Sequence, residues 1–164
     1  MSPIPCFFLL AYPWALQISL KEDLGKEIGV SKWVRLDQKS ISEFSNLTED
    51  PNFIHVDVEK TKAETPFEGT IAHGFFVLSF AVKFSLDVFP KQENNSYNLN
   101  YGFNKIRFVS PVPSGSNIRG RFMLSDIAKK GTNGILKTFN LVIETEKEEK
   151  PAVSAEWLTL TLYK

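Results

Sequence analysis

The stretch Ile71-Ala72-His73-Gly74-Phe75-Phe76-Val77-Leu78-Ser79-Phe80-Ala81-Val82-Lys83-Phe84-Ser85-Leu86-Asp87-Val88-Phe89 decides how this chain folds. Beyond Gly74 only Ser79, Lys83, Ser85 and Asp87 interrupt the apolar run. A surface helix would carry a polar face, so the run predicts a helix over 71–89 that is buried on most of its sides. Its length also reaches the lower limit for a membrane span, about 19 residues. Lys83 and Asp87 inside it, and a strand-rich remainder able to wrap it, favour a core helix of a soluble protein with no membrane partner.

Downstream of Pro90 and the polar stretch through Ser96, the apolar period changes to two. Tyr97, Leu99, Tyr101 and Phe103 share one face, whereas Ile106 and Phe108 fall on the other parity, which predicts a bulge between Gly102 and Lys105. Strands follow over 118–127, 135–145 and 153–163, separated by turns at 129–134 and at the charged run 146–150. Upstream, 31–37 reads as a short strand. Ile41, Phe44 and Leu47 then recur at helical spacing behind a cap at Asp37. A curved antiparallel sheet wrapped around one long buried helix is the economical way to cover such a helix. The expected fold is therefore α+β, of the hot-dog type.

The chain has 164 residues, enough for one domain and short for two. Nineteen Lys and Arg balance nineteen Asp and Glu, so no basic field exists to hold nucleic acid. The lone Cys6 cannot form an intrachain disulfide, and one Cys with two His supplies too few soft ligands for a structural zinc site. A reducing, metal-free, cytoplasmic setting is expected. Residues 1–20 carry no charge, but Pro3, Pro5 and Pro13 interrupt them and no Lys or Arg leads them, unlike a signal peptide. The organisation expected is an N-terminal extension of unknown role over 1–17 and a single domain over 18–164.

Two features carry chemistry. Asp50 and His55 lie five residues apart in a polar loop with Asn52 between them. A carboxylate beside an imidazole can share the binding and deprotonation of one water near neutral pH. The same Asp50-Pro51 pair also reads as a helix N-cap with proline at the first helical position. The second feature is Gly74, where the long helix begins: helix N-terminal amides suit an oxyanion or a thioester carbonyl, and a glycine lets a ligand approach the backbone. Tight packing of helix on sheet is the alternative reason for that glycine. His73 reads as a polar residue satisfying the helix start.

Asp50-Pro51-Asn52-Phe53-Ile54-His55-Val56-Asp57, followed by Ile71-Ala72-His73-Gly74 with His73 sixteen residues after Asp57, resembles the MaoC-like dehydratase family, also called the (R)-specific enoyl-CoA hydratases. Asn100-Tyr101-Gly102-Phe103-Asn104-Lys105-Ile106-Arg107-Phe108 and Pro111-Val112-Pro113-Ser114-Gly115-Ser116 resemble its nodulation protein N-like branch. The resemblance runs from about Leu20 to Tyr163. It implies that Asp50 and His55 activate the water added to C3 of a trans-2-enoyl thioester, that the Gly74 amide polarises the thioester carbonyl, that Ser79 sits near the carboxylate and that Asn52 orders the loop. The family's common glycine before the aspartate is Glu49 here, and the proline that often follows the asparagine is Phe53.

The function so implied is reversible hydration of a trans-2-enoyl-CoA to a (3R)-hydroxyacyl-CoA, in fatty acid metabolism, by a homodimer. The substrate's carrier is CoA or acyl carrier protein, and no separate cofactor is called for. Lys105, Arg107, Arg119 and Arg121 form the densest basic group on consecutive strands, and some of them are expected to contact the CoA phosphates, solvated strand faces being the alternative reading. A hot-dog thioesterase and a noncatalytic thioester-binding protein are the alternatives.

Overall fold

The computed structural model describes residues 22–89, 96–146 and 148–164. The N-terminal extension expected over 1–17 lies outside the described residues. Chain order is β1 (Glu27–Val30), β2 (Val34–Arg35), α1 (Gln38–Thr48), α2 (Phe53–Val56), α3 (Val58–Glu64), α4 (Gly74–Val88), β3 (Ser96–Phe108), β4 (Asn117–Lys130), β5 (Gly134–Thr145) and β6 (Val153–Tyr163). All strands pair antiparallel in the order β1-β4-β5-β6-β3, with β2 also on β4. This is the hot-dog fold: one sheet wrapped around α4.

The sheet's inner face follows from alternation. Phe139, Leu141 and Ile143 on β5 face the core with Ala155 and Trp157 of β6 and Phe122 of β4. Phe84, fully buried at the centre of α4, fits there because Gly120 leaves room on β4: a Cβ at Gly120 would come within 2.9 Å of the Phe84 ring. The bulge expected in β3 is present. Its register against β6 shifts between Phe103 and Lys105, and again between Asn100 and Gly102.

Three expectations need correction. The strand foreseen over 31–37 shrinks to Val34–Arg35, while a second one, Glu27–Val30, runs along β4. Only Asp37 and α1 behind it match that region as read, with the Asp37 carboxylate accepting from the Ser40 amide at 2.8 Å. The long helix starts at Gly74 rather than Ile71, because Ala72 donates to the Val112 carbonyl (2.8 Å) and Ile71 bridges to Pro113, holding 71–72 extended. Nor is the helix buried on most sides. Val77, Leu78, Ala81 and Phe84 face the sheet, but Phe75 (68% exposed), Val82 and Leu86 (77%) form an apolar stripe in the open, with Ser79 among them. Among the described residues no helix is long and apolar enough to cross a membrane.

Candidate active site

The loop between α1 and α2 is shaped by the way α1 stops. Glu49 takes a left-handed conformation (φ 56°, ψ 35°), and both it and Asp50 donate their amides to the Ser45 carbonyl. Glu49 is the only non-glycine residue with positive φ among the described residues. The left-handed position that a glycine would take freely is thus present here and filled by a glutamate. Ser45 Oγ, buried, donates in turn to the Asp50 carbonyl at 2.6 Å.

Asp50 does not cap α2. That cap is Asn52, whose side chain accepts from the Ile54 amide at 3.3 Å. The short helix it begins places His55 inward, buried, with Nδ1 at 2.7 Å from the Ile71 carbonyl. A carbonyl only accepts, so Nδ1 carries the hydrogen and Nε2 is the free nitrogen. Burial pushes the His55 pKa below its ordinary value, against the upward pull of the Ile71 carbonyl; neighbouring His73 adds to the lowering and Asp50 opposes it. A neutral imidazole with a bare Nε2 is a base in its working form.

A carboxylate oxygen of Asp50 and one ring nitrogen each of His55 and His73 lie within 4.8 Å of one another. This is also the one set of metal-type donors found among the described residues. The two imidazoles stack, with centroids 3.6 Å apart and planes 27° apart. Lone pairs in such nearly parallel planes run side by side. They do not converge within a metal–nitrogen bond of about 2.0–2.1 Å, so the arrangement is poor for joint ligation.

His55 and Gly74 share a cavity of about 350 Å³ with Phe75, Phe108, Val112 and Val153 among its mostly apolar walls. Gly74 is the first residue of α4, where the first-turn amides lack intrahelical acceptors. It is also a packing glycine, since a Cβ would meet the Phe108 ring at 2.8 Å. The packing reason read for it is thus present, and its backbone borders the cavity. Asp50, with its side chain 55% exposed, stands at the loop surface and does not line the cavity.

None of the other expected residues lines the cavity. Ser79 Oγ donates to the Phe76 carbonyl (2.6 Å) on the exposed face of α4 and does not line the cavity. The basic group is split, because β3 and β4, consecutive in the chain, are separated in the sheet by β5 and β6. Arg119 and Arg121 both bind Glu144, at 2.7 and 2.9 Å, and Arg121 also pairs with Glu27; Arg119 lies over Trp33. Lys105 and Arg107 are exposed on β3, the latter one residue before Phe108.

Sequence reasoning missed two residues. Gln38, the first of α1, donates to the His55 carbonyl at 2.7 Å and accepts from the Thr70 hydroxyl, tying α2 to the strand-like segment before α4. His73, assigned only to the helix start, makes no capping bond; it is 4% exposed, its Nε2 lies 3.2 Å from the Asp50 carbonyl and its ring covers His55. The signal for His73 was in the sequence: it is the other of only two histidines, next to the glycine already singled out.

Comparison with known proteins identifies the family. The family model described as "MaoC like domain" matches residues 19–147. The chain is 42% identical to nodulation protein N of Rhizobium leguminosarum bv. viciae over 84% of this chain and 85% of that one. It is 35% identical to the 3-hydroxyacyl-thioester dehydratase Z of Mycobacterium tuberculosis over 80% and 86%. The fold is shared with the monoamine oxidase regulatory protein of Archaeoglobus (TM-score 0.72, 23% identity, covering 86% of this chain and 91% of that one). With the motif, the fold and these relatives in agreement, the chain belongs to the MaoC-like hydratase/dehydratase family.

Proposed function

We propose that this protein hydrates trans-2-enoyl thioesters to (3R)-hydroxyacyl thioesters, reversibly, with Asp50 and His55 acting on one water. The observation that carries the reading is the Asp50 carboxylate beside a buried, neutral-leaning His55 that lines an apolar cavity. In the forward direction the water oxygen bonds to C3 as its proton passes to the pair, and the pair returns a proton to C2, so that H and OH add across the double bond. The Gly74 amide, at the positive end of α4, stabilises the negative charge that grows on the thioester oxygen. No metal or separate cofactor enters this scheme. The similarity to a protein named a 3-hydroxyacyl-thioester dehydratase supports the reaction class.

The thioester is carried by CoA or acyl carrier protein in fatty acid metabolism, and the protein works in the cytoplasm. Of the basic residues, Lys105 and Arg107 are the proposed phosphate contacts, since Arg119 and Arg121 are engaged with Glu144 and Glu27. We also propose a homodimer. Strand β3 is a 13-residue sheet edge with Tyr97, Leu99 and Tyr101 half-exposed, and α4 carries an open apolar stripe of its own. Pairing two copies would cover both.

The test is to incubate the pure protein with trans-2-enoyl-CoA esters of increasing chain length and follow loss of the conjugated double bond. Free thiol is measured in parallel. Hydration without thiol release supports the reading; thiol release without hydration would make the protein a thioesterase, and neither would leave a binding protein.

A further inference from the structure

His73 is buried beside two groups that the proposed reaction needs. Its ring stacks on His55 on one side (3.6 Å between centroids) and meets Phe44 of α1 on the other (5.1 Å, planes 57° apart). Its Nε2 is 3.2 Å from the main-chain carbonyl of Asp50 and 3.9 Å from that residue's carboxylate. It is absent from the cavity wall, although its neighbours Ala72 and Gly74 belong to it.

The hydrogens follow from the acceptors. The Asp50 carbonyl only accepts, so Nε2 of His73 carries a hydrogen and donates it. The buried Nδ1 is then a bare acceptor, with no hydrogen-bond partner among the described residues. An unsatisfied buried nitrogen disfavours folding, and a leucine or phenylalanine would avoid it. Something must therefore be gained at this position from an imidazole in particular. A donor directed at Asp50, carried on a flat ring that packs on His55, answers both needs.

We propose that His73 is a positioning residue for the Asp50 and His55 pair, fixing the Asp50 main chain through its Nε2–H and the plane of the His55 imidazole by stacking. Its kinetic consequence rests on the hydratase reading given above. With the Asp50 carbonyl held by both Ser45 Oγ and His73, the carboxylate has a fixed root, and with His55 held by Ile71 below and His73 on its face, Nε2 keeps one direction. His73 and Asp50 are the charged or titratable groups that act on His55. Helix α1 offers neutral Gln38 and Phe44, and the cavity walls from β3, the 109–112 segment and β6 offer none.

Three measurements test this. First, protein labelled with ¹⁵N-histidine gives two imidazole patterns, since the chain has two histidines. At alkaline pH the expected tautomers are opposite, Nδ1–H for His55 and Nε2–H for His73; finding Nδ1–H at His73 overturns the proposal, and needs no variant to fold. Second, His73→Phe keeps the ring and loses the donor. Its kcat for enoyl-CoA hydration is expected to fall roughly 10- to 100-fold, as misplacement of a reacting group does, with KM within about twofold because the residue does not touch the cavity. Removing the imidazole also removes an influence that lowers the His55 pKa, so the acid limb of kcat/KM should move to higher pH. A folded His73→Phe protein with wild-type kcat and an unmoved limb overturns the proposal. Third, Asp50→Asn separates the two ideas: if it hydrates normally the hydratase reading fails, whereas if it is inactive while His73→Phe is normal, only the role of His73 fails.

Discussion

The Phe108 ring rests against Gly74 so closely that a methyl group there would lie 2.8 Å from Cδ1 and 3.0 Å from Cε1 and Cγ. The end of β3 and the first turn of α4 thus form one wall of the cavity, and the wall depends on the absence of a side chain at position 74. Gly74→Ala must push the ring away. Phe108 is half-exposed and can swing outward, so the loss of stability should be modest, about 1 kcal/mol, at the low end for overpacking. Hydration should suffer more than stability, by at least about tenfold in kcat/KM on the usual scale for a displaced binding wall. Denaturant unfolding beside steady-state kinetics checks this, and Phe108→Ala in the Gly74→Ala background should restore the stability.

Glu49 adopts its left-handed conformation against the preference of a residue with a Cβ. Replacing it with glycine removes local strain of about 1–2 kcal/mol and returns part of that as unfolded-chain entropy. A net gain of roughly 0.5–1 kcal/mol is expected for Glu49→Gly, and a loss for Glu49→Val, whose branched side chain fits the region worst. Urea midpoints of the three proteins give the answer. Equal stability of all three would mean the turn relaxes at no cost.

The His55 pKa is lowered by folding, principally by burial. Between that depressed value and the ordinary one near 6.5 the unfolded chain binds more protons than the folded one, so stability rises with pH across the interval. Stability should therefore decline on acidification from pH 7 through the folded pKa of His55. His55→Gln should remove that part of the slope. Urea unfolding at several pH values measures it, and an unchanged slope in the variant would assign the dependence to other groups.

Leu86 and Val82 project from α4 into the open on the same stripe as Phe75. If a second copy covers them, Leu86→Glu places a charge in an apolar interface and should convert the assembly to monomers. The wild-type protein should sediment near twice 18.6 kDa at micromolar concentration and the variant near that mass, both with native circular dichroism. A wild-type monomer would remove the dimer from the account.

The sequence made some of this legible for identifiable reasons. The four long strands showed because apolar residues recur along each of them, and the β3 bulge appeared as a parity slip at Phe103 and Ile106, whereas the register shift between Leu124 and Asp126 of β4 was not read. The extent of α4 was overread because Ile71 and Ala72 are apolar for a different cause, pairing with the segment at Val112 and Pro113. Its burial was overread because apolar composition does not distinguish a face packed on the sheet from one left for another partner, as Phe75 and Leu86 demonstrate. Leu47 was grouped with Ile41 by spacing, yet it is 83% exposed while Ile41 is fully buried, since the buried face of α1 runs through Ile41 and Ser45 and Leu47 lies off it. Asp50 and His55 were found by motif. Their support by Gln38 and His73 was not, because hydrogen bonds between segments 17 and 23 residues apart leave no local periodicity. The basic residues were grouped by chain order, and sheet order separated them.

The central claim is that Asp50 and His55 act as a unit on one water. The most direct measurement is the hydration rate of a trans-2-enoyl-CoA by Asp50→Asn, His55→Gln and the double variant, each verified as folded. Both single changes should slow hydration by about 10²-fold or more, the scale for losing a positioned acid or base, and the double variant should be little worse than the slower single one. The wild-type product should be the (3R)-hydroxyacyl thioester. A folded Asp50→Asn protein that hydrates at close to the wild-type rate would contradict the account, reducing Asp50 to a loop residue and leaving the chemistry to be sought elsewhere.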